Sequence, residues 1–96
     1  MIIEGFIWLA DVIDKLEQKH AVRKTEVESV FADLPVFNRI EKGNVKGEDL
    51  YRALGKTASG RYLVIFFIYK MTREALVISA RDMTEKERRH YAKRKK

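Results

Sequence analysis

The chain contains no cysteine. Disulfides, thiolate metal sites, iron–sulfur clusters and a cysteine nucleophile are therefore excluded. Only two histidines are present, His20 and His90, too few for a His-rich zinc centre. Long apolar runs are also missing. The longest, Tyr62 to Tyr69, falls far short of the about 20 residues that span a bilayer. No P-loop, G-x-G-x-x-G, H-E-x-x-H or G-x-S-x-G signature occurs. Gly55-Lys56-Thr57 matches only the tail of a P-loop, without its first glycine at the right spacing. The first residues include acidic Glu4 and no basic run, so they do not read as a secretory signal. A soluble, intracellular protein that needs neither metal nor cofactor is the expectation.

What is present suits one small domain. The 96 residues are 46% hydrophobic and 35% charged, a globular balance. Small domains are often only marginally stable alone, so self-association is an open expectation. Charge is unevenly spread. Twenty Lys and Arg against fourteen Asp and Glu give +6. Residues 1–85 hold thirteen of each sign, so the excess lies entirely in Lys86 to Lys96. Positive charge gathered in one segment is the usual footprint of a polyanion partner, or else a solubilising tail.

Periodicity gives the elements. Ile2 to Leu9 is apolar and reads as a short strand ending near Trp8, itself a core candidate. Leu9, Val12, Ile13 and Leu16 predict a helix over 9–20, with Lys19 and His20 in its last turn. Thr25 to Glu28 fits a capping box ahead of Val27, Val30, Phe31 and Leu34, and Pro35 ends that helix. Strands are predicted over 36–41, 49–56, 61–70 and 75–81. The third lacks polar alternation, as in a strand buried on both faces. Thr84 to Glu87 fits a second capping box for a helix over 84–93, after which Lys93 to Lys96 should fray. The expected fold is α+β: an antiparallel sheet of about four strands with N-terminal helices and a C-terminal helix. The domain is placed at 1–92, with a basic tail at 93–96.

Chemistry is carried by basic and hydroxyl groups at strand ends and on the last helix. Arg52, Arg61, Lys70 and Arg81 lie in or beside strands. Arg81 closes an apolar strand just before a helix cap, so its planar fork can face a phosphate. The alternative is an ion pair with Asp82 or Glu87. His20 is a candidate acid or base, or a cation stabilising its helix end. Arg88, Tyr91 and Lys95 share one helix face, and Glu87 and Tyr91 are i, i+4 neighbours. Tyr91 either stacks on a base or packs on the sheet, and His90 reads as surface. Such groups suit metal-free RNA cleavage, where Arg and Lys stabilise the phosphorane and His, Tyr, Glu or Lys move protons.

The chain resembles the BrnT-like toxins of bacterial type II toxin–antitoxin systems, whose fold is similar to that of RelE. The resemblance covers most of the chain. It rests on Phe6-Ile7-Trp8, Lys15, Lys19-His20-Ala21-Val22, Glu28 and Val30-Phe31-Ala32-Asp33. Gly47-Glu48, Arg52-Ala53-Leu54-Gly55 and Gly60-Arg61-Tyr62-Leu63 continue it, and Ile78-Ser79-Ala80-Arg81, Glu87-Arg88 and Tyr91 close it. It implies a ribonuclease that arrests translation, a ribbon–helix–helix antitoxin, and operator DNA bound only through the toxin–antitoxin complex. A homodimer and a toxin–antitoxin heterotetramer are both open as assemblies, and the sequence does not choose between them. The residues the resemblance carries over are His20, Arg52, Arg61 and Arg81, with Tyr91 and Glu87 behind them. The expected catalytic set is His20, Arg61, Arg81, Glu87 and Tyr91, and Lys19, Arg52, Lys70, Arg88 and Lys95 are the candidates for holding RNA. There are departures: the family usually has Gly at Ala21, has Asn residues in the first helix that are missing here, and has a basic residue where this chain has Leu76. Leu76 supports the alternative of a degenerate module that only engages its antitoxin. A structural protein with a solubilising tail is the third reading.

Overall fold

A computed structural model describes residues 1–95. In chain order the elements are β1 (Gly5–Ile7), α1 (Ala10–His20), α2 (Lys24–Ala32), β2 (Val36–Glu41), β3 (Leu50–Lys56), β4 (Tyr62–Tyr69), β5 (Glu74–Asp82) and α3 (Glu85–Arg94). The strands form one sheet in the order β1-β5-β4-β3-β2. β2 to β5 pair antiparallel through successive connections. β1 adds a fifth strand at the edge and runs parallel to β5, Phe6 opposite Ala75. The sheet is therefore mixed. Two helices separate β1 from the other strands, so no hairpin forces it antiparallel.

The centre of the sheet explains the unbroken apolar run. β4 lies between β3 and β5 and is covered on both sides. Leu63, Ile65 and Phe67 face the core beneath α1 and α2, with Leu16, Val22, Val27 and Val30. Val64 faces the opposite core with Leu54, Met83 and Tyr91 of α3. A ring cluster fills the first core: Phe31 and Phe37 meet Phe67 edge-on at 5.3 and 5.9 Å between centroids. Trp8 is half-buried beside it and donates its Nε1–H to Glu28, 2.9 Å away. Close approach of α2 to β3 requires Gly55, since a Cβ there would lie 2.8 Å from a Val30 methyl.

Helix ends depart from the sequence reading in two places. Thr25 is not the cap of α2. The helix begins at Lys24 because the Glu26 carboxylate accepts the Arg23 backbone N–H at 2.9 Å, satisfying the helix start two residues earlier. The cap of α3 is as expected, with Thr84 N–H donating to Glu87 and Glu87 N–H to Thr84 Oγ1, at 2.8 and 3.2 Å. Nor do Lys93 and Arg94 fray: α3 continues to Arg94, and the Lys95 ammonium donates to the Leu34 carbonyl at 2.7 Å. Lys96 lies outside the described residues. Ala21 ends α1 in the left-handed region, φ 51°, where the Val22 N–H reaches back to the Leu16 carbonyl at 3.0 Å.

Candidate active site

A bulge in β5 sets the direction of Arg81. Phe67 opposes Val77, yet Phe66 opposes Ser79, so Ile78 is an extra residue without a partner on β4. Val77 and Ala80, three apart, both enter the core under α1 and α2. Strict alternation would have sent Arg81 into that core as well. The inserted residue turns it to the α3 face instead. There its guanidinium lies 5.5 Å over the Phe66 ring.

On that face Arg81 meets Glu87 through two hydrogen bonds, at 2.8 and 3.0 Å. Arg52 sits beside them. Its Nε donates to Asn38 at 3.1 Å and its Nη1 lies 3.8 Å from Glu87. Two guanidiniums thus share one carboxylate and leave a net charge of +1. Glu87 is held down to about 2, chiefly by the Arg81 hydrogen bonds and with help from the Thr84 backbone, against the opposing effect of burial. Arg81 is raised by the same pair. Of its five N–H groups, two go to Glu87 and one to the Asp82 carbonyl. The Nε–H and one Nη2–H have no partner among the described residues. The arrangement can bind a phosphodiester.

Arg61 has a different place. Its Nε and Nη2 hold Asp82 at 2.7 and 3.1 Å. Nη1 donates to the Ala21 carbonyl at 2.7 Å and Nη2 to the His20 carbonyl at 2.9 Å. Glu26 lies 3.5 Å from Nη1. All five N–H groups are committed. Arg61 fastens the end of α1 and the start of α2 to the sheet, on the face opposite Arg81. It is raised, first by its bond to Asp82, and Asp82 is lowered by the same bond.

A family model described as "Ribonuclease toxin, BrnT, of type II toxin-antitoxin system" matches residues 8–87. The chain belongs to the BrnT toxin family. A search of curated proteins finds no match. As a BrnT-family chain it is a ribonuclease toxin of a type II system and has an antitoxin partner. None of its helices is long and apolar enough to cross a membrane, among the described residues.

The sequence-derived site residues of this BrnT chain divide between places. Arg81, Glu87 and Arg52 come together. Tyr91 packs in the core beneath α3, and burial pushes its hydroxyl above the usual tyrosine range. His20 and exposed Lys19 end α1 on the other face of the sheet, near Arg61. Lys70 pairs with Glu48 at 2.9 Å in the β4–β5 turn, remote from Arg81. Arg88 lies on the Tyr62 ring and Lys95 holds Leu34, both on the far flank of α3. His90, read as surface, is half-buried, and its Nε2 is shielded without a hydrogen-bond partner. The signal for it was available: Glu87 and His90 are i, i+3 and share a flank of α3. Asn38 and Phe66 were missed because only strand register places them beside Arg52 and Arg81. No three His, Asp or Glu side chains converge to hold a metal ion among the described residues.

Proposed function

We propose that the protein is a metal-independent endoribonuclease that cleaves mRNA in the cytoplasm and so stops translation. One observation carries the reading: Arg81 and Arg52 are oriented by one carboxylate, with Arg81 N–H groups left over. A phosphodiester neutralises their net charge, and the developing phosphorane dianion binds them more tightly still. Glu87 has both oxygens engaged by arginine and lies near pKa 2, so its role is to hold the guanidiniums. A carboxylate so occupied is a poor metal ligand. Proton transfer falls to His90, on the Glu87 flank of α3, ahead of His20 across the sheet. The 2′-OH attacks the phosphorus, the 5′-oxygen leaves with a proton, and a 2′,3′-cyclic phosphate remains.

A ribbon–helix–helix antitoxin neutralises the toxin in this reading, in a heterotetramer that carries it to operator DNA. The resemblance to BrnT-like toxins supports that partner. The second reading is a degenerate toxin that only binds. Leu76 favours it, because an apolar residue opposite Ile68 stands where the family commonly has a cation.

The test is cleavage of a long end-labelled mRNA in EDTA, without ribosomes, by wild type and Arg81→Ala. Cutting by the wild type alone, with cyclic-phosphate ends, supports the enzyme. An intact fold that neither cuts mRNA alone nor does so with ribosomes added supports the degenerate module.

A further inference from the structure

α3 has two flanks, and Glu87 with its arginines occupies one. The other overlooks a concavity of about 880 Å³, which is not at the Arg81 cluster. Tyr62 and Tyr91 line it, their rings edge to face at 6.0 Å. Four cations border it, Lys56, Arg88, Arg89 and Lys95, against two carboxylates, Asp33 and Glu85. Glu85 is already paired with Arg89 at 3.3 Å. The cavity is therefore positive and aromatic together.

Arg88 gives it direction. Its guanidinium sits 4.0 Å over the Tyr62 ring, with Lys56 at 5.8 Å from the same ring. Neither Arg88 nor Lys56 has a carboxylate partner among the described residues, whereas Arg52, Arg61, Arg73 and Arg81 each hold one. Arg88 is exposed, so the face of its guanidinium away from Tyr62 is open to a ligand. Guanidinium planes and aromatic rings are the platforms on which unpaired bases stack, and nearby ammonium groups hold the flanking phosphates. An acidic protein segment would use the cations but not the platform.

We propose that this cavity is a second subsite for single-stranded RNA: a base stacks on the Arg88–Tyr62 pair and Lys56 holds its phosphate. Glu87 and Arg88 are adjacent residues facing opposite flanks of α3. A strand bound at Arg81 reaches the cavity by crossing one helix, about 10 Å. The inference takes its ligand class from the ribonuclease reading but does not depend on cleavage. The family match ends at residue 87.

The test uses a fluorescein-labelled 2′-O-methyl oligonucleotide, which the 2′-OH mechanism cannot cut, titrated with the full chain by anisotropy. At about 50 mM salt the Lys56→Ala/Arg88→Ala double variant should bind about tenfold more weakly or worse, with the salt slope smaller by about 0.7 for the lost Lys56–phosphate contact. Arg88→Lys keeps the charge and should hold the slope while still losing affinity. Both changes are at solvent-accessible side chains, and circular-dichroism melting checks the fold. Double-variant binding within about twofold of wild type, or no wild-type binding at this salt, overturns the subsite. Wild-type affinity in Arg88→Lys reduces it to bare charge and overturns the base platform. Cleavage separates the two proposals. A wild type that binds through this cavity but does not cut sinks only the enzyme, and one that cuts while the double variant binds normally sinks only the cavity.

Discussion

Arg81 and Glu87 meet fork to fork, Nη1 to Oε1 at 2.8 Å and Nη2 to Oε2 at 3.0 Å. The same carboxylate closes the capping box with Thr84. One side chain therefore starts α3 and aims a guanidinium. Stability and the candidate chemistry are coupled at this pair.

Arg81 and Arg61 should separate cleanly when each is replaced by alanine. Arg81→Ala removes the donors offered to phosphate, so cleavage should fall by about 10²–10³ with the fold retained. Arg61→Ala removes a clasp on two carbonyls and two carboxylates. It should lose about 2 kcal/mol of stability. Per folded molecule its cleavage rate should stay near wild type, measured alongside a denaturant titration. A full loss of rate in folded Arg61→Ala would return that residue to the reacting centre.

Acid should weaken the Arg81–Glu87 pair in a defined window. The folded carboxyl lies at about 2, below its ordinary 4.5. Its contribution is complete above 4.5 and is lost as pH falls toward 2. Glu87→Gln should cost about 1–2 kcal/mol at neutral pH, less than the shift alone implies because Arg81 faces solvent. The melting-temperature gap between wild type and variant should close on acidification. A gap independent of pH would show that the carboxylate's charge contributes nothing.

Ala21 occupies a glycine position. Its φ of 51° costs an L-residue energy that glycine does not incur. Ala21→Gly should therefore raise stability by about 0.5–1 kcal/mol, a gain of a few degrees in Tm. A lower Tm would mean that the alanine methyl packs well enough to offset the strain.

His90 leaves a shielded Nε2 without a partner. A group retained at that cost in a small domain is a candidate for function. His90→Leu should be neutral or stabilising by up to about 1 kcal/mol while cleavage drops by about 10²-fold. Unchanged cleavage in His90→Leu would move the proton chemistry elsewhere.

Much of the fold was legible because periodicity and caps are local signals. Val12, Ile13 and Leu16 mark one helix, and Thr84 with Glu87 marks the start of another. The apolar run of β4 identified the middle of the sheet, because only a strand covered on both faces needs no polar alternation. β1 gave no register signal, since three residues show no period and its partner lies far along the chain. The Thr25 cap was misread because Glu26 can reach back to Arg23 just as Glu28 could to Thr25.

The sequence by itself determined the α+β class, the basic last helix and the family, and it made Arg81 and Glu87 candidates. Those rest on residue types, spacing and short-range geometry. Tertiary structure alone decided which cations act together. The bulge at Ile78 reverses the side on which Arg81 emerges, and a strand's parity cannot be read past an inserted residue that leaves no mark of its own. Arg61 and Arg81 are alike in the sequence. Packing of α1 and α2 on one face commits every N–H of Arg61, whereas the other face leaves Arg81 with donors to spare.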